Sequence, residues 1–279
     1  MLRQRIITAL VMAGLFLAAI LFLPTTALAV LFGALVLAGG WEWSRMAGWE
    51  SPIARGLFVL VLMGLLILLF FYCQLDAQPT RERVQPVLGL ACLWWSFALL
   101  WVKSYPGSAA MWSNRIMRSL MGLLILAPAW TAAIYLLSYP RGGALMVIMV
   151  LVVAAADVGA YFAGKNLGKH KMAPAVSPAK TWEGFWGGAL SVAVIGVLLW
   201  YMLPVRGAHI SLPVVLAVVL ATSMASVVGD LTVSMVKRES GTKDSGSLLP
   251  GHGGVLDRLD SLSGAAPVFA LGLLLAGWS

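Results

Sequence analysis

Apolar residues in this chain come in long, nearly charge-free runs rather than in the short periodic alternation of a water-soluble fold. Nine such runs, at residues 6–23, 27–43, 56–75, 84–102, 120–137, 143–163, 184–203, 213–233 and 261–278, hold at most one charged residue each. Their lengths suit a bilayer crossing, which takes roughly 17–25 residues of helix. Backbone groups in hydrocarbon must be bonded internally, so helices are the default, and the period-two alternation of barrel strands is absent. The pattern predicts an all-α, polytopic integral membrane protein with about nine transmembrane helices. Trp41, Trp43, Trp49, Trp94, Trp95 and Trp101 sit near predicted span ends, as headgroup anchors do, and Pro128 reads as a tolerated kink.

Composition strengthens this picture: the chain is 61% hydrophobic and 11% charged, with a mean hydropathy of +0.92. Charge then orients it. With nine spans, fifteen of the nineteen Lys and Arg residues fall in segments 1–5, 44–55, 103–119, 164–183 and 234–260, and four fall on the other side. The excess of positive charge on one set of loops predicts that the N-terminus and the 234–260 loop are cytoplasmic and that the C-terminus lies outside. The net charge of +8 becomes a cytoplasmic surface suited to anionic lipid and nucleotide. No nucleic-acid partner is expected, because the basic residues are spread over short loops. Arg3 and Arg5 before an apolar run imitate a signal peptide, but the run continues past Ala29 to Leu37, as in an uncleaved hairpin. Cys73 and Cys92 lie in apolar runs and indicate neither a disulfide nor a zinc site.

Chemistry is concentrated in the second half. Residues 1–140 read as a scaffold of about five spans, in which Glu42 and Arg45 look like a helix-end pair. Residues 141–279 read as a catalytic region of about four spans with two cytoplasmic loops, 164–183 and 234–260. Asp157 ends a run of uncharged residues at the mouth of the sixth span, where an ionisable group needs a partner. It is a binding candidate, with pairing to Lys165 or Lys169 as the plain alternative. Ser177 or Thr181 can cap the seventh span, and Glu183 suits the helix dipole there. Lys180 opposes that dipole, which makes sense if a phosphate lies between it and the free N–H groups. Asp230, Ser234 and Lys237 share one helical face. They lead into Arg238, Lys243, the turn Gly251-His252-Gly253-Gly254, and then Asp257, Arg258 and Asp260. Carboxylates bracketing a glycine turn and several cations suit Mg²⁺ held by one or two carboxylates together with substrate phosphates.

At these residues the chain resembles the phosphatidate cytidylyltransferase, or CDP-diacylglycerol synthase, family. The family signature S-x-φ-K-R-x4-K-D-x-G-x2-φ-P-x-H-G-G-φ-x-D-R-φ-D is matched from Ser234 to Asp260 at every fixed position. The blocks Asp157-x-Gly-Ala-Tyr161, Ser177-Pro-x-Lys-Thr181 and Tyr105-Pro-Gly-Ser-Ala-Ala110 are similar too. The resemblance implies a multi-pass enzyme of a bacterial-type inner membrane, its C-terminus periplasmic and its site facing the cytoplasm, joining CTP and phosphatidate into CDP-diacylglycerol and pyrophosphate. It implies a Mg²⁺ cofactor held by Asp230 and Asp257, with Asp260 a third candidate and a second, monovalent cation left open. Lys237, Lys243 and Arg258 are expected to neutralise the triphosphate, with Asp230 and Asp257 completing the catalytic set. Ser177, Lys180, Thr181, Arg238, His252, Gly253, Gly254 and Asp157 are expected to bind substrate. The family also suggests a homodimer. It usually reads Gly-Asp-Leu-x-Glu-Ser, whereas Val233 stands here in the Glu place.

Rival readings are another Mg²⁺-dependent transferase acting on a polyprenyl or lipid phosphate, and an ion-coupled transporter using Asp157 and Asp230. The first would not share the signature. The second predicts related halves with paired broken helices, and no internal repeat is visible.

Overall fold

The structure, a computed structural model, describes residues 2–76, 79–202, 210–246, 248 and 253–278. In chain order its elements are α1 (Leu2–Phe22), α2 (Thr25–Met46), α3 (Pro52–Tyr72), α4 (Arg81–Ser104), the short α5 (Ala109–Trp112), α6 (Arg115–Leu137) and α7 (Gly142–Leu167). A hairpin of β1 (Lys171–Ala173) and β2 (Ser177–Thr181) follows, then α8 (Trp182–Met202), α9 (Leu212–Glu239) and α10 (Leu256–Leu275). Eight of these helices, α2 to α4 and α6 to α10, are long and apolar enough to cross a membrane among the described residues. The run expected first is helical in α1, with an apolar stretch over Ala13–Phe22. Local chemistry sets the breaks. Pro24 precedes α2, Pro52 opens α3, the Asn114 side chain accepts from Met117 N to cap α6, and Arg141 takes a left-handed turn (φ 61°) before α7.

The fold is all-α as expected, and the 164–183 loop adds a short antiparallel hairpin, with Lys171 opposite Thr181 and Ala173 opposite Ser177. The β-branched and proline-containing segment before α8 cannot continue a helix backwards through Pro178, and instead pairs with its neighbour.

Helices α6 and α10 form the centre, with 72% and 56% of their apolar windows buried, against 17% for α3 and α8 at the periphery. The main core runs from Leu28 on α2 through Ile125 on α6 to Phe269 on α10. A smaller core of Val152, Ala156, Val192 and Val219 holds α7, α8 and α9 together. Helices α9 and α10 meet closely at Gly229 and Gly264; a Cβ on Gly229 would stand 2.5 Å from the Asp260 carbonyl oxygen. That approach sets the Asp230 turn beside the Asp260 turn.

The basic segments gather at one end of the bundle. Arg45 donates to Ser245 O (2.6 Å), Arg118 to Met46 O (3.0 Å), Arg238 to Val176 O (3.1 Å), and the Tyr105 hydroxyl to Glu239 (3.1 Å). The four internal segments predicted to share a face therefore touch one another. Burial and the neighbouring Glu239 carboxylate raise the Tyr105 phenol above its ordinary pKa, so it stays a donor.

Candidate active site

Two lysine–aspartate pairs organise the site. The first crosses from the hairpin to α9: Lys180 Nζ lies 2.5 Å from Asp230 Oδ2, and Ser234 Oγ donates to Asp230 Oδ1 (3.2 Å). The helical-face reading of Asp230 and Ser234 is thus realised as a direct bond. Lys180, on β2 two residues before α8, pairs with the aspartate of α9 and also lines one cavity with Thr181 and Gly184 at the start of α8. This cavity, of about 200 Å³, is lined also by Asp157, Tyr161, Ser223 and neighbouring small residues of α7 and α8. Asp157 feels the Lys180 and Asp230 charges, whereas Lys165 lies over the Tyr161 ring. Lys169 contributes its backbone N–H to Glu183. The alternative pairing of Asp157 with Lys165 or Lys169 is not found among the described contacts.

The second pair crosses from α9 to α10: Lys237 Nζ lies 2.9 Å from Asp257 Oδ1, with side chains only 10% and 9% exposed. Asp257 also accepts from Gly254 N (2.9 Å) and Ser245 N (3.0 Å). Gly253 takes φ +79°, a conformation other residues adopt at a cost, and a Cβ there would stand 2.6 Å from Asp257 Oδ2. Asp260, one turn further along α10, is 9% exposed and lies within the fields of Asp230, Lys237 and Asp257. The structure thus brings together Asp157, Lys180 and Asp230 on one wall, and Lys237, Asp257 and Gly254 on the other, with Asp260 near both aspartates. Lys243, Arg238 and Arg258 are exposed. Arg238 ties the hairpin turn to α9 through Val176 O. His252 lies outside the described residues.

The hydroxyls flanking Lys180 differ. Thr181 is buried and accepts from Gly184 N (3.1 Å), so it caps α8 as expected. Ser177 is half-buried at the far end of β2 and takes no capping role. Glu183 folds back onto Lys169 N, His170 N and the His170 ring, pinning the hairpin to α8. Val233 is fully buried in the main core, so an aliphatic side chain fills the place where the resemblance would have a carboxylate.

No group of three or more His, Cys, Asp or Glu placed to hold a metal occurs among the described residues. The donors available are oxygen ligands only, from Asp230, Asp257 and Asp260. Such a set suits a hard cation that takes one or two carboxylates and completes its shell with substrate oxygens and water.

Sequence reasoning missed Glu42. Taken there as a helix-end partner of Arg45, it is 3% exposed and accepts from Ser245 Oγ (2.9 Å), Val255 N (3.1 Å) and Leu256 N (2.9 Å). The scaffold half of the chain therefore reaches into the site. A carboxylate inside an otherwise apolar run was the available signal.

The chain matches the cytidylyltransferase family over residues 3–276. It is 45% identical over 278 residues to the phosphatidate cytidylyltransferase of Pseudomonas aeruginosa, covering 100% of this chain and 99% of that protein. It is 40% identical over 284 residues to the phosphatidate cytidylyltransferase of Haemophilus influenzae, covering 97% and 98%. A protein of Escherichia coli named YnbB, described as uncharacterized, is 39% identical over 153 residues, about half of each chain.

Proposed function

This chain belongs to the cytidylyltransferase family, and on that premise we propose that it transfers the cytidylyl group of CTP to phosphatidate, giving CDP-diacylglycerol and pyrophosphate. The observation that carries this is the full-length identity to two phosphatidate cytidylyltransferases. The site supports it: carboxylates, lysines and a glycine turn meet at the basic end of a membrane bundle, where a soluble nucleotide and a lipid phosphate can both arrive. The charge asymmetry supports a cytoplasmic site in a bacterial inner membrane.

A phosphatidate oxygen attacks the α-phosphorus of CTP. The bond from that phosphorus to the oxygen bridging towards the β-phosphorus breaks, and pyrophosphate leaves with its electron pair. The nucleophile is already an anion, so the side chains bind, orient and neutralise rather than abstract a proton. Lys180, on the cavity wall, exchanges Asp230 for the lipid phosphate, with Ser177 and Thr181 at either end of its strand. Lys237, Lys243 and Arg258 draw the triphosphate toward the turn at Gly253 and Gly254. Asp230 and Asp257, with Asp260 beside them, are the residues that would hold Mg²⁺. When bound, that ion supplies charge neutralisation on the phosphate oxygens.

The test is radiolabelled CTP with phosphatidate in detergent, with and without Mg²⁺, scored for a lipid-soluble cytidine product. Mg²⁺-dependent product is expected. Transfer to a polyprenyl phosphate but not to phosphatidate, or ion transport without CTP turnover, would replace the reading.

A further inference from the structure

We propose that Glu42 is a positioning residue: a staple from α2 that ties Ser245, within the loop between α9 and α10, to the start of α10 and so fixes the turn at Gly253 and Gly254 and Asp257. The proposal rests on the cytidylyl-transfer reading of that loop. Ser245 and the start of α10 converge on one buried carboxylate. Within the loop Ser245 is fully buried and every polar group it has is bound: Oγ–H to Glu42, N–H to Asp257, and carbonyl oxygen to Arg45. At the exit the Val255 and Leu256 N–H groups, unpaired donors of the first turn of α10, also go to Glu42. A helix cap alone would need only this second half.

The loop's glycines fit the same device. A Cβ on Gly246 or on Gly254 would collide with the Glu42 carboxylate, so these positions are glycine because the staple passes there. Because Glu42 takes the two donors of the helix end, Asp257 can turn to Lys237, Ser245 N and Gly254 N instead. Charge-assisted bonds to backbone N–H groups are the stronger kind, and the positive end of the α10 dipole favours the anion. Between the pinned positions Ser245 and Val255 lie Gly253 and Gly254, the turn placed on the triphosphate. Their position on CTP therefore depends on a residue far away in sequence.

Detergent-solubilised full-length Glu42→Gln, Glu42→Asp and Ser245→Ala are assayed against the wild type. Glu42→Gln keeps the volume but turns an amide toward N–H donors. It is expected to lower kcat/KM for CTP by about 30-fold, a displacement-sized effect, with the KM for phosphatidate within about twofold. Glu42→Asp recovers part of that loss. Ser245→Ala gives a smaller loss with the same selectivity for CTP, and the double variant is no worse than Glu42→Gln alone, as for two residues in one network. Hydrogen exchange at residues 245–256 rises in Glu42→Gln while α6 is unchanged. Parameters near wild type in Glu42→Gln, or equal losses on both substrates with exchange rising throughout, would overturn the staple. Should Glu42→Gln fail to fold, Ser245→Ala decides: it must lose CTP efficiency selectively, and an unselective or absent loss refutes the proposal. Wild-type protein that makes no lipid-soluble cytidine product overturns the cytidylyl-transfer reading instead; the local exchange result then still judges the loop closure.

Discussion

The two lysine–aspartate pairs use the same chemistry in different surroundings. The side chains of Lys180, which borders the cavity, and of Asp230 are 27% and 28% exposed, while those of Lys237 and Asp257 are 10% and 9% exposed and Asp257 accepts backbone bonds besides. An ion pair still in reach of water gains little and gives up little when a ligand replaces one partner. A dry pair is different: its mutual attraction roughly offsets desolvation, and loss of either member strands the other charge. On the proposed function, the first pair is the one that a substrate would open. The second ties α9 to α10 and to the turn at Gly254, and on the same proposal its carboxylate would face the nucleotide.

The largest effect is therefore expected at the dry pair. Asp257→Asn should abolish cytidylyl transfer and also lower stability by about 3–5 kcal/mol, because Lys237 is left buried without its counter-charge. The double variant Lys237→Met with Asp257→Leu should regain stability but not activity. Thermal unfolding in detergent alongside the product assay checks both, and an Asp257→Asn protein as stable as wild type would erase the distinction drawn between the pairs. Asp230→Asn comes next: activity should fall by at least about 100-fold, an effect proper to lost charge placement, with stability changed by only about 1 kcal/mol. Lys180→Gln should mainly raise the KM for phosphatidate, by about tenfold, as loss of a charged hydrogen bond does. If it raises the KM for CTP instead, the two walls have been assigned to the wrong substrates.

Much of this was legible in sequence because membrane crossing leaves a coarse, strong signal. Runs without charge located the helices, and the short polar segments between them held nearly all the reactive groups. Asp230 and Ser234 could be put on one face from their spacing, and their bond in the structure follows from it. What spacing could not give was partnership across the chain. Lys180 could be set beside the start of α8 from its position, but its aspartate lies fifty residues on, in α9. The hairpin over Lys171–Thr181 was hidden for a related reason: two short strands of mixed polarity carry too few alternations to stand out. Glu42 was underrated because a carboxylate at a helix end usually faces water, and only tertiary packing turned it inward to the loop before α10.

The smallest difference lies within the open wall, between the two hydroxyls of β2. Thr181 is buried and holds the first turn of α8 through Gly184 N, so Thr181→Val should cost about 1 kcal/mol, the usual worth of a cap. Any change in its kinetics then mixes binding with a shifted helix. Ser177 is half-buried and its side chain makes no hydrogen bond among the described residues, so Ser177→Ala should leave the unfolding temperature where it is. A lipid phosphate bound by that hydroxyl would still register, as a rise of about five- to tenfold in the KM for phosphatidate at constant kcat, the size of one hydrogen bond. A KM within twofold of wild type would take Ser177 out of the site and leave Lys180 as the contact from that strand. The open wall would then work through one mobile cation rather than a fixed pocket, the opposite of the clamped turn across from it.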